Sequence, residues 1–185
     1  VGRAERITGP YLDYNGRALT DTNSPPAEVG TKILGGYRFR NDPGWSAPGH
    51  SSVLRDGNDY FLVHHARGGV DPEWSYLHVR RILWSDDGWP LVAPERYAGE
   101  YPQPIPPGLL PGEWELIILA RQVNTQLDSF VVAFTEDGLL KGESIQGTWR
   151  FEADDRLVLS WWRETDDGTG HHLARLRLMP AWDWE

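Results

Sequence analysis

The residues of this chain best suited to chemistry gather between positions 45 and 67, in the stretch WSAPGHSSVLRDGNDYFLVHHAR. It carries His50, His64, His65 and Arg67. An imidazole ligates metals and exchanges protons near neutral pH, and a guanidinium donates to hydroxyl and carboxylate oxygens. His50 follows Ala47-Pro48-Gly49, read as a rigid, chain-reversing segment that ends where a strand begins. A histidine held there suits a metal ligand or a catalytic group, and equally a structural loop contact. His64 and His65 are neighbours in a strand, so they point to opposite faces. One of them can face a channel while the other packs on a neighbour or meets solvent. Arg67 shares the face of His65, and the two either hydrogen-bond a polyol or form a structural pair. His171-His172, beside a Gly-rich turn, are expected to be exposed, and Glu100 is expected to tie down the segment after it.

Carboxylates are abundant but badly placed for catalysis. A two-carboxylate hydrolase needs an acid and a base about 5–10 Å apart across a cleft. Of the 27 acidic residues, Asp56, Asp59, Asp86, Asp87, Asp137, Asp154, Asp155, Asp166 and Asp167 all fall in turn sequences. Such carboxylates are normally solvated and structural. No phosphate-cradling Gly loop, nucleophile elbow or HExxH zinc motif occurs. With no cysteine, disulfides and thiolate metal sites are excluded. A net charge of −9 argues against a nucleic-acid surface, which needs clustered Lys and Arg. No apolar run approaches the roughly 20 residues of a membrane span.

The elements that must position these groups are strands. Gly and Pro number 20 and 14, and no helical apolar stripe is sustained over three turns. Short apolar runs alternate with turn signals instead, as in sandwiches, barrels and propellers. Runs at 52–55, 59–66, 76–84 and 91–93 are separated by Asp56-Gly57-Asn58, Gly68-Gly69 and Asp86-Asp87-Gly88. They predict a four-stranded antiparallel meander, the size of one propeller blade. Residues 1–4 and 9–12 read as the outer end of a preceding blade. Five prolines in 101–112 predict an extended linker. Beyond it, strands are expected at 114–121, 130–135, 147–152, 157–162 and 172–179, with turns at Glu136-Asp137-Gly138 and Asp166-Asp167-Gly168. The reading is all-β, with domains at 1–100 and 113–185 joined by the linker. Ten tryptophans suit a β-rich core, and some could be stacking plates for sugars.

Several separated motifs together resemble a known family. They are Gly2-Arg3, then Ile7-Thr8-Gly9-Pro10-Tyr11-Leu12-Asp13, Ala47-Pro48-Gly49-His50-Ser51-Ser52-Val53 and Tyr60-Phe61-Leu62-Val63-His64-His65-Ala66-Arg67. Gly88-Trp89-Pro90-Leu91-Val92-Ala93-Pro94 and Tyr97-Ala98-Gly99-Glu100 complete the set. In this order they resemble the last part of the catalytic domain of glycoside hydrolase family 43 endo-1,5-α-L-arabinanases. Residues beyond the linker resemble the small C-terminal β-barrel or sandwich domain of the two-domain members.

The resemblance implies the C-terminal blades of a five-bladed β-propeller and hydrolysis of α-1,5-linked arabinan with inversion. The family's Asp base, Glu acid and second Asp lie in earlier blades, and no matching context is present here. Val1-Gly2-Arg3 reads as the middle of a strand, so an N-terminal portion, in the same or a separate chain, is expected to supply them. The chain alone is then expected to be inactive, with no catalytic residue of its own. One functional residue carries over: His50 corresponds to the family histidine that binds an ion in the central channel, most often calcium. His65 and Arg67 are the candidate substrate contacts. The implied partners are arabinan and its oligosaccharides, with no nucleic acid and no membrane. The implied setting is a secreted bacterial enzyme whose signal region lies outside this sequence. Two other readings stay open: a non-catalytic carbohydrate-binding β module, and an arabinofuranosidase or β-xylosidase of the same clan.

Overall fold

Twelve strands account for the regular structure of the computed structural model, which describes residues 1–165 and 168–182. The first five are β1 (Tyr37–Arg38), β2 (Trp45–Asp56), β3 (Asp59–Gly68), β4 (Ser75–Trp84) and β5 (Pro90–Val92). Next come β6 (Gly112–Leu116), β7 (Leu127–Asp128), β8 (Phe130–Phe134) and β9 (Leu139–Gly142). Finally β10 (Ile145–Ala153), β11 (Arg156–Thr165) and β12 (Gly168–Arg177) close the series. They form two six-stranded sheets, ordered β5-β4-β3-β2-β1-β7 and β12-β11-β10-β9-β8-β6. The fold is all-β, as the sequence implies. Both sheets are open, since neither β5 with β7 nor β6 with β12 is paired among the described residues.

The first sheet holds the expected meander, β2 to β5, each strand antiparallel to the next. Its start differs from the expectation. β2 begins at Trp45, so Ala47-Pro48-Gly49 lies within the strand and does not reverse the chain. Register shifts on either side of Gly49 absorb the irregularity: Ser46 faces Arg67, Gly49 faces His65 and Ser52 faces Val63. Each interval spends three residues against two, which defines a β-bulge. Proline is tolerated at such a bulge because no ladder hydrogen bond is asked of it.

Residues 1–36 form no strand of a preceding blade. Only the bridges Arg3↔Leu12 and Leu12↔Ala18 occur there. Gly and Pro deny the segment a regular ladder, and side chains hold it instead. The Asp13 carboxylate accepts from the backbone N–H groups of Asn15 and Arg17, both at 2.9 Å. Arg121 reaches back to Asp13 at 3.2 Å and to the carbonyls of Glu28 and Gly30 at 2.6 and 2.7 Å. β7 likewise returns to the first sheet, pairing parallel with β1 through Tyr37↔Leu127 and Arg38↔Asp128.

The second sheet buries one face. Leu110, Val132, Phe134, Leu140, Ile145, Leu157, Leu159 and Trp161 form a single cluster. Alternation along β11 puts 157, 159 and 161 inside. Residues 101–111 run without a strand, apart from a short 3-10 turn at Pro107–Leu109. The Asp166-Asp167 turn expected between β11 and β12 lies outside the described residues. Several other turn aspartates are tied to arginines: Asp59 to Arg81 at 2.7 Å, Asp86 to Arg156 at 2.9 Å and Asp155 to Arg177 at 2.5 Å. The Asp86–Arg156 pair and the Arg177 bond to the Trp84 carbonyl, 3.0 Å, join the two sheets.

Candidate functional site

The double bulge in β2 decides where His50 goes. Ala47 and His50 each take a left-handed backbone, with φ of 45° and 53°. For a residue with a side chain this conformation costs about 1–2 kcal/mol. Bulges re-aim side chains and recur beside functional sites. Here the second one leaves His50 exposed, with its ring 6.0 Å centroid to centroid from that of His65. Gly49 permits the approach: a Cβ at this position would lie 3.3 Å from His65 Nε2.

His65 is half-buried, on the opposite face from the buried His64. Arg67 lies two residues along on the His65 face and is exposed, with Nη1 donating to the Pro72 carbonyl at 2.8 Å. His65 is therefore brought together with His50, while Arg67 is engaged by the loop between β3 and β4. Glu100 is buried; its carboxylate accepts from the Ala98 N–H at 2.7 Å and its carbonyl from Arg81 at 2.8 Å. His171 and His172 are exposed.

The metal question turns on donors. Among the described residues no group of three or more His, Asp or Glu side chains could hold an ion. His50, with His65 beside it, offers nitrogen alone. Calcium takes 6–8 oxygen ligands. The set therefore fits an ion carried mainly by water or by ligands from elsewhere, with one imidazole as anchor.

Behind this hairpin lies a polar cluster that the sequence reading did not single out. His64 and His78 are register partners, buried to 2% and 0% exposure, with ring centroids 5.2 Å apart. His64 Nδ1 lies 2.8 Å from the His65 carbonyl, which only accepts, so this nitrogen carries the proton. His78 Nδ1 lies 3.3 Å from Arg80 Nη2, which only donates, so here the proton sits on Nε2. Neither Nε2 atom has a hydrogen-bond partner, and one is an acceptor while the other is a donor. Burial is the main cause that lowers both histidine pKa values, with the Arg80 charge adding to it; His78 is pushed down to about 3.

Arg80, itself buried, donates to the Tyr37 hydroxyl at 2.5 Å and to the Pro94 carbonyl. Burial raises the Tyr37 phenol to about 12, so it stays protonated and donates to Pro94 in turn. Trp45 packs edge-on against His78, 4.2 Å between centroids. The cluster thus fixes the start of β2, five residues before His50. Polar residues alternating through an otherwise apolar β4 were the available signal. Their partners at Tyr37 and Pro94 are too far along the chain to be read from it.

The T. petrophila endo-1,5-α-L-arabinanase structure superposes with a TM-score of 0.79 at 22% identity, over 93% of this chain and 40% of that one. The two share a fold. Residues 94–185 match the C-terminal lipocalin-like domain of glycoside hydrolase family 43. The chain is 28% identical over 167 residues to the extracellular endo-α-(1→5)-L-arabinanase 2 of Bacillus subtilis. It is 25% identical over 162 residues to the extracellular endo-α-(1→5)-L-arabinanase of Thermotoga petrophila. Over residues 94–185 the chain carries the C-terminal domain of that family. It spans 35% and 34% of the lengths of those two relatives, which cover 81% and 80% of it.

Proposed function

We propose that this chain is the C-terminal portion of an inverting glycoside hydrolase that cleaves α-1,5-L-arabinan. Residues 1–100 would complete a propeller and 113–185 would form an accessory domain across the 101–112 linker. An N-terminal portion, in the same or a separate chain, would carry the acid, the base and the third carboxylate. The observation that supports this most is His50, exposed at a left-handed bulge next to His65 in a chain related to arabinanases.

In this reading the His50 imidazole anchors one mostly hydrated ion, proposed as calcium. When bound, the ion would supply fixed positive charge that keeps neighbouring carboxylates ionised. His65 orients the His50 ring and presents a nitrogen to a sugar hydroxyl. Arg67 holds the loop through Pro72 and offers its remaining N–H groups to substrate. Because the relatives carry extracellular names, secretion is part of the proposal.

The test is reducing-sugar release from linear arabinan by the chain alone and in the presence of an N-terminal portion. Hydrolysis is expected only with that portion, with His50→Ala lowering kcat while leaving KM close to its original value. Arabinan cleavage by the 185-residue chain on its own would overturn the proposal.

A further inference from the structure

A second surface, on the other sheet, has the makings of a ligand site. Since 157, 159 and 161 of β11 enter the core, Val158, Ser160 and Trp162 take the other face, which is covered at Val158 and open at Trp162. Trp162 is 56% exposed, an unusual place for so large an apolar ring on a regular strand. Register sets Gln146 of β10 on one side of it and His171 of β12 on the other. The next row along the strands is Thr148, Ser160 and Leu173. Ser160 Oγ and His171 Nε2 are 2.8 Å apart, which links the two rows. The His171 ring leans on Trp162, 5.0 Å between centroids at 55°, and steadies the indole without covering it.

We propose that the outer face of β10–β12 is a binding platform for a neutral carbohydrate chain, with Trp162 as the stacking plate. A sugar ring offers a flat C–H face ringed by hydroxyls. Trp162 meets the face, while Gln146, Thr148 and the Ser160–His171 pair meet the hydroxyls. The dimensions agree. Strands lie about 4.8 Å apart, so the polar flanks stand one sugar radius from the plate, and two residues along a strand advance about 6.6 Å, near one sugar unit. The exposed apolar groups in the two rows are Trp162 and Leu173, too few for the apolar centre of a protein interface. Choosing arabinan as the first ligand rests on the proposed function; the platform itself does not.

Isothermal titration of the 185-residue chain with linear arabino-, xylo- and cello-oligosaccharides and with oligogalacturonate tests this. Trp162→Ala is expected to weaken binding at least tenfold with an unchanged circular dichroism spectrum. Trp114→Ala is the control and should keep the affinity, because that indole is committed to the Leu110 carbonyl at 2.7 Å. Binding to xylo- or cello- but not arabino-oligosaccharides, lost in the Trp162 variant, upholds the platform and counts against arabinan as substrate. No binding to any neutral oligosaccharide, binding to oligogalacturonate alone, or equal affinity in the Trp162 variant would overturn it.

Discussion

Acid should unfold this protein through His78 before its carboxylates titrate. The ring is fully buried and neutral, and its pKa falls to about 3 from the ordinary 6.5. The unfolded chain therefore binds a proton between these values that the native state refuses. Stability from this group is whole above about pH 6.5 and falls as pH falls. Linkage gives a loss of about 2 kcal/mol by about pH 5 and about 3 kcal/mol by about pH 4 from His78 alone. His64 moves the same way. Glu95, whose pKa burial raises, works in the opposite sense. Against a total of about 5–15 kcal/mol for a domain, the His78 loss is large. His78→Gln keeps an N–H donor near the Nε2 position and removes the titration. It should cost about 1–3 kcal/mol near neutrality, where the Arg80 contact is lost. Urea unfolding followed by Trp fluorescence measures the gap between wild type and variant. That gap should shrink by about 2 kcal/mol between about pH 7.5 and about pH 5. A constant gap across this range would refute the reasoning, because Glu95 and the groups remote from His78 titrate alike in both proteins.

Three further outcomes follow from single contacts. Gly147→Ala would place a Cβ 2.0 Å from the Ser160 carbonyl oxygen and 2.6 Å from Trp161 Cα, both backbone atoms of β11. A loss of at least about 3 kcal/mol in urea unfolding is expected, and a neutral effect would contradict the β10–β11 register. Arg121→Ala leaves the Asp13 carboxylate, 3% exposed, without its cationic partner. Limited proteolysis should then cut within residues 1–36, and the urea unfolding midpoint should fall. Ala47→Gly relieves a φ of 45° and should raise the unfolding free energy by about 0.5–1 kcal/mol, with a decrease counting against the bulge.

The meander was legible because its information is local. Asp56-Gly57-Asn58 and Asp86-Asp87-Gly88 mark turns, and the runs between them have strand composition, so β3, β4 and β5 fall close to where the sequence puts them. Where tertiary context overrides local signals, reading failed. Pro48 and Gly49 look like a loop, but two bulges keep them in β2. The apolar run at 114–121 looks like one strand, yet β6 stops at Leu116. The remainder packs against the first sheet's approach segment: Lys32 donates to the carbonyls of Ala120 and Val123, and Leu119 lies against Gly35. β1 and β7, two residues each, have no pattern to detect. β9 follows Glu136-Asp137-Gly138 so closely that its four residues pass for loop.

The candidate site shows the same division. His50, His65 and Arg67 are recognisable by residue type, and their placement near one hairpin follows from the turn between β2 and β3. What holds His50 in place is non-local. An αL backbone favours Gly or Asn, so a histidine there carries strain that the surroundings must outweigh. The compensation begins at Tyr37, passes through Arg80 and His78 to Trp45, and anchors the strand from its start. Buried arginine and neutral buried histidine are each costly by themselves. The bonds from Arg80 to Tyr37 and Pro94 and from His64 to the His65 carbonyl offset part of that cost and tie the strands together, which gives polar residues a role in the interior of a sheet that could have been filled with valine and leucine.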